Sequence, residues 1–240
     1  MVSKRQQNQA FTLIELLVVI SVISLLIAIL LPSLGRAKEQ ARRAICLSNL
    51  KEVHKAFYSY AQDNNGIVPI GYRSYSEQLN SMVYSGTAMK FVLFGLLYQA
   101  NFIKEPRIFY CPTESNPQSM YNSPGNPWPP GVTPTTNTYA GYETRPAFNF
   151  PDDWSAIPAG TPLPKLWDFT TLAIFADLTA IPDRVNTRHV TGVNVLYGDG
   201  GANWVGRPNF DGPLSQCTAV QANNTYNTQQ SAIWTALDQH

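Results

Sequence analysis

The sequence predicts an α+β protein: a long N-terminal hydrophobic helix, transmembrane and then amphipathic, packed on a loop-rich C-terminal domain with an antiparallel β-sheet. Three observations carry this. Residues 10–31 form an apolar run whose one ionisable residue is Glu15. Apolar residues at helical spacing resume after Pro32. The rest of the chain is a series of short β-rich runs separated by Pro, Gly and Asn.

Composition agrees with that division. At 240 residues the chain is long enough for one membrane segment and one globular domain. The net charge of +1 gives no reason to expect nucleic acid as a partner. Charged residues make up only 14%, with 15 Gly and 18 Pro, a profile of loop-rich extracytoplasmic protein rather than of a helical cytosolic one. The cysteines are Cys46, Cys111 and Cys217, an odd number, so at least one is unpaired within the chain. In an oxidising compartment Cys46 with Cys111 is the preferred disulfide, since each flanks expected core, with three unpaired thiols as the alternative.

In chain order, residues 1–10 are a polar leader carrying Lys4 and Arg5. Residues 11–31 suffice to cross a hydrocarbon core of about 30 Å at about 1.5 Å per residue. An acid inside such a span costs about 2.5–3.5 kcal/mol at mid-depth, so Glu15 calls for a partner. Pro32 is expected to kink the helix. Residues 32–65 continue it amphipathically, with Leu34, Ala37, Ala41, Ile45, Leu50, Val53, Phe57 and Tyr60 on the apolar side. Asn64, Asn65 and Gly66 supply the stop.

Residues 66–240 are then a β-rich globular domain. Residues 67–70 are a candidate strand, 91–98 a buried helix or strand, and 108–111 a strand ending at Pro112. Residues 112–136 form a Pro-rich loop in which Trp128 is expected to pack onto its own domain. Residues 138–142, 172–176 and 193–197 are strand-like. The last joins 202–205 through Gly198-Asp-Gly-Gly201 as a hairpin. Ile233, Trp234 and Leu237 mark a short terminal helix.

The N-terminal residues Phe11-Thr-Leu-Ile-Glu-Leu-Leu, with Pro32 closing the run, resemble type IV pilin-like proteins, including the pseudopilins of type II secretion. The resemblance implies a pilin-like fold and cleavage between Ala10 and Phe11 by a prepilin peptidase that also methylates Phe11. It further implies that Glu15 meets the N-terminal amine of a neighbouring subunit during filament assembly. The family norm before the cut is Gly, and here Ala10 replaces it. A freed amine has a pKa of about 7.7–8 and is largely protonated at neutral pH, whereas an uncut amide is neutral. Basic residues lie on both sides of the apolar run, and their bare count places the C-terminal domain in the cytoplasm. The resemblance implies the opposite: a single-pass protein of the bacterial inner membrane, its C-terminal domain periplasmic or carried on a filament.

A second resemblance runs through Cys46-Leu-Ser-Asn-Leu-Lys51, the run from Tyr60 to Gly66, Tyr110-Cys-Pro112, and His189 followed after nine residues by Asp199-Gly200. These are similar to a group of pilin-like proteins of planctomycete-type bacteria. His189 and Asp199 lie about 33 Å apart if ten residues run straight between them. A metal or charge-pair site from Asp177, His189, Asn194 and Asp199 is one reading; an Asp199 turn and a backbone-bound His189 is the other. Calcium is a candidate cofactor because the major pseudopilin of type II secretion resembles this chain and binds it in C-terminal loops. The acids Asp177, Asp183, Asp199 and Asp211 are too scattered to form a calcium loop by sequence.

Catalytic signatures are missing: no phosphate loop, Gly-x-Ser-x-Gly elbow or His-Glu-x-x-His pair occurs. The expected function is therefore structural, a processed subunit polymerised with other pilin-like subunits into a pseudopilus or type IV-like filament. The alternative is a monomeric membrane-anchored protein that binds a ligand such as a glycan through its loops.

Overall fold

A computed structural model describes residues 12–74, 77–131, 136–149, 162–218 and 224–240. The leader, the Ala10 to Phe11 bond and the Phe11 amine lie outside the described residues. The chain divides after Ala41 into two units.

Helix α1, Leu13–Asp63, runs without interruption through Pro32. In the N-terminal unit its apolar side chains are exposed from Leu13 (86%) to Leu31 (63%). Among the described residues this helix is long and apolar enough to cross a membrane. Its last part belongs to the second unit and ends as the sequence predicts. Asn65 and Gly66 take positive φ, and the Gly66 amide donates to the Ala61 carbonyl at 2.7 Å.

The expected apolar stripe holds only in part. Leu50, Val53 and Phe57 are buried, but Leu34, Ala37, Ala41 and Ile45 are exposed, and Cys46 occupies the buried position that Ile45 was expected to fill. The core-facing side of α1 thus begins only at Cys46, about three turns beyond Leu34, and is set one residue round from Ile45.

The strands are β1 Gly71–Ser74, β2 Glu77–Leu79, β3 Met82–Ser85, β4 Lys90–Phe91, β5 Thr138–Tyr139, β6 Tyr142–Thr144, β7 Pro146–Asn149, β8 Ala173–Asp177, β9 Gly192–Tyr197 and β10 Ala202–Gly206. They form three sheets. The principal one is antiparallel with order β10-β9-β8-β6; the smaller ones are β2-β1-β7 and β4-β3-β5. Four further α-helices occur among the described residues: α2 Phe94–Gln99, α3 Pro182–Asn186, α4 Asp211–Ser215 and α5 Asn224–Leu237.

The principal sheet is covered on both faces. On one, Cys46, Leu50, Val53 and Phe57 of α1 pack with Phe94, Phe109, Phe175 and Leu196. Phe57 meets Phe175 edge-on at 4.8 Å, a geometry worth about 0.5–1.5 kcal/mol beyond area burial. On the other face, Val193, Val195, Tyr197 and Val205 pack with Phe210, Leu214, Ile233, Trp234 and Leu237. Alternate side chains of β9 therefore enter different cores, and every residue of the strand is buried.

Two local expectations are corrected. Residues 108–111 are not a strand: Pro106–Phe109 is a 3-10 turn with Pro106 at its start, and the Glu105 carboxylate accepts from the Arg107 amide. At 67–70 Ile67 makes only an isolated bridge to Lys165, and the strand begins at Gly71. In the Pro-rich loop, Trp128 packs against Tyr98 and Tyr121 at 5.0 and 6.0 Å, holding the loop to its own domain.

Candidate functional site

Two places carry chemistry. The first is the start of α1. Helix N-termini leave amides without partners, and here Thr12 and Glu15 satisfy each other. The Thr12 amide and hydroxyl donate to Glu15 Oε2 at 2.9 and 2.7 Å, and the Glu15 amide donates to Thr12 Oγ1 at 3.2 Å. This is a capping box, and its Thr-x-x-Glu spacing was present in the sequence but was missed there. The acid expected to wait for a partner already has one within its own chain.

The second is a buried polar cluster in the globular unit. Cys46 comes from α1, Cys111 follows the 3-10 turn, Asp177 ends β8, and His189 lies between α3 and β9. None of the four is more than 3% exposed, and their donor atoms all lie within 4.8 Å of one another. His189 Nε2 is 3.4 Å from Cys46 Sγ, 3.6 Å from Cys111 Sγ and 4.0 Å from Asp177 Oδ2. Both thiols are free.

Neighbouring groups fix each member. The backbone and side-chain amides of Asn194 donate to Asp177 Oδ2 at 2.7 and 3.1 Å. Asp177 Oδ1 is buried with no hydrogen-bond partner among the described residues. Thr113 Oγ1 lies 2.9 Å from Cys111 Sγ. The His189 ring meets the Trp204 ring edge-on at 5.7 Å, and the Arg43 guanidinium covers Trp204 at 3.7 Å while donating to Thr191 Oγ1. Beside the cluster, Arg188 and Glu114 form a fully buried ion pair.

The electrostatics follow from crowding. Burial, then the charge at Cys111, pushes Asp177 up to about 7. Burial also works upward on Cys111, but hydrogen bonds from Cys46, His189 and Thr113 bring it down to about 4. Cys46 is raised, first because its thiol donates to Cys111 and then by burial. Three groups able to become anions thus surround one imidazole in a dry site, an arrangement that suits a bound cation.

The sequence-derived candidates divide accordingly. Asp177, His189 and Asn194 come together, and Cys46 and Cys111, read from sequence as a disulfide or as unpaired thiols, join them with both thiols free. Asp199 does not. It sits in the β9–β10 turn, where its Oδ1 accepts from the Gly201 amide at 2.7 Å, the turn role weighed as the alternative. His189, for its part, faces the thiols rather than serving only its backbone. Gly200 takes φ +86° beneath His54, whose Nε2 lies 3.2 Å from the Gly198 carbonyl. His54 therefore packs on that turn. Asp211 pairs with Arg207 at 2.6 Å. Among the described residues the one clustered donor set contains sulfur and nitrogen, unlike the all-oxygen cages that calcium takes.

Comparison with known proteins bears on the chemistry of the N-terminus. The prokaryotic N-terminal methylation motif matches residues 5–31. The chain is similar to the type IV wide pilus major component PilA4 of Thermus thermophilus. It is 29% identical over 92 residues, covering 35% of this chain and 70% of the relative. No solved structure matches the chain.

Proposed function

We propose that this type IV pilin-like chain is a structural subunit, cut between Ala10 and Phe11 and methylated at Phe11 by a prepilin peptidase. It is then held in the inner membrane by α1, with its globular unit on the periplasmic side, and drawn into a filament with other pilin-like subunits. The work is mechanical rather than catalytic. The carrying observation is the exposure of apolar side chains along α1 from Leu13 to Leu31, next to a methylation motif. Each such side chain left in water forgoes about 1.5–3 kcal/mol, so lipid first and neighbouring helices afterwards must cover them.

Glu15 fits this sequence of environments. Its carboxylate stays satisfied by Thr12 while the subunit waits in lipid, and a protonated amine on a neighbour adds a charge pair on docking. Similarity to a wide pilus component favours a pilus over a secretion pseudopilus. The reading of a monomeric tethered binder gains nothing from Trp128, which packs within its own domain.

The test is mass spectrometry of the mature N-terminus from isolated envelopes and sheared filaments. N-methylated Phe11 as the first residue is expected; a mature chain retaining residues 1–10 overturns the proposal.

A further inference from the structure

We propose that Cys46, Cys111, Asp177 and His189 bind a structural zinc ion, which pins helix α1 to the principal sheet. The donor set is two thiolates, one imidazole and one carboxylate, types that zinc accepts in four-coordinate sites. It is closed: among the described residues all four groups are buried. That marks a structural centre rather than a catalytic one.

The spacing fits. Tetrahedral zinc at ordinary bond lengths sets nitrogen and sulfur ligands about 3.6 Å apart, and nitrogen and oxygen ligands about 3.3 Å apart. His189 Nε2 lies 3.4 and 3.6 Å from the two sulfurs. Its 4.0 Å separation from Asp177 Oδ2 is about 0.7 Å longer than the nitrogen to oxygen spacing, so the carboxylate must shift or turn its unpartnered Oδ1 towards the ion. Asp177 is also prepared as ligands usually are: Asn194 fixes Oδ2 through two donors, and Oδ1 is buried without a partner among the described residues.

The competing occupant of this space is a Cys46–Cys111 disulfide. It would consume both sulfurs and leave a buried carboxylate and imidazole against an apolar bridge, with the Asp177 Oδ1 demand unmet. Magnesium and calcium are disfavoured by the sulfur ligands. Zinc, bonded to four segments far apart in the sequence, ties the C-terminal part of α1 to the ends of β8 and β9. In a subunit loaded through its long helix, that joint carries the force.

The experiment uses the full chain purified in detergent without chelator. Elemental analysis is expected to give about one zinc per chain. Exchange into cobalt(II) is expected to give the intense visible bands and the thiolate charge-transfer absorption of a tetrahedral sulfur-containing site. Cys46→Ser and His189→Ala should each lose zinc and weaken or shift those bands, whereas Cys217→Ser, altering a thiol outside the cluster, should leave both unchanged. Where a cluster variant fails to fold, the stoichiometry and cobalt spectrum of the wild-type chain decide alone. A chain isolated without zinc and carrying a Cys46–Cys111 disulfide on non-reducing peptide mapping overturns the proposal. So does a cobalt spectrum without sulfur charge transfer.

Discussion

Glu15 Oε2 accepts both the amide and the hydroxyl of Thr12, at 2.9 and 2.7 Å, so the acid of the apolar helix also completes its N-terminal capping box. Capping and assembly are therefore separable by substitution. Glu15→Gln keeps an acceptor for Thr12 and removes the charge; Thr12→Ala removes the cap at about 1 kcal/mol and keeps the charge. Membrane insertion should survive in both, and incorporation into filaments should fail only for Glu15→Gln. Equal loss of incorporation in a filament-shearing assay would reduce Glu15 to a cap.

Asp238 clasps Arg145 in a two-pronged pair at 2.6 and 2.9 Å and accepts from the Ala173 amide at 2.9 Å, tying the end of α5 to β8. Both side chains are mostly buried. Asp238→Ala leaves a cation and an amide unpaired, and should lower stability by about 2–3 kcal/mol. Urea unfolding of the full chain in detergent measures it; a change under about 0.5 kcal/mol would place the pair among surface bridges that contribute little.

Glu143 supplies a pH dependence. It is fully buried, and burial, opposed by hydrogen bonds from Thr179, raises it from 4.5 to about 7. Asp177 and Arg188 act on it from beside the cluster, and Cys217 and Tyr226 feel its charge. Between those two pH values the folded chain keeps a proton that the unfolded chain has released. This contribution is thus fully present below about 4.5 and is lost as pH rises to about 7, a span of roughly 3 kcal/mol. Glu143→Gln should be more stable than the wild type at pH 7, with the difference shrinking towards pH 4.5. Parallel stability curves for the two chains would contradict this.

Gly200 has φ +86°, and a Cβ there would stand 3.2 Å from His54 Cε1. Gly200→Ala should cost about 1–2 kcal/mol from the backbone alone. Adding His54→Ala relieves the contact but not the conformation, so the double variant should regain only part of the loss relative to His54→Ala. Full recovery in thermal unfolding would make the crowding, rather than the backbone, responsible.

What the sequence determined by itself is what a few neighbouring residues can encode. The apolar run of α1 needs only composition, its stop needs only Asn65 and Gly66, and the β9–β10 hairpin needs only Gly198-Asp-Gly-Gly201 between two β-rich runs. The Thr12 cap is equally local, a Thr-x-x-Glu spacing at the start of the helix. Tertiary structure decided the rest. Which turn of α1 faces the core, Cys46 rather than Ile45, depends on the sheet beneath it. That His189 meets Cys46, Cys111 and Asp177 while Asp199 stays in the turn depends on the pairing of β8 with β9 and on α3 delivering His189 to the other end of β9. Side chains that touch only because distant segments pair leave no periodicity or spacing in the chain, and so they become visible only when the backbone has folded.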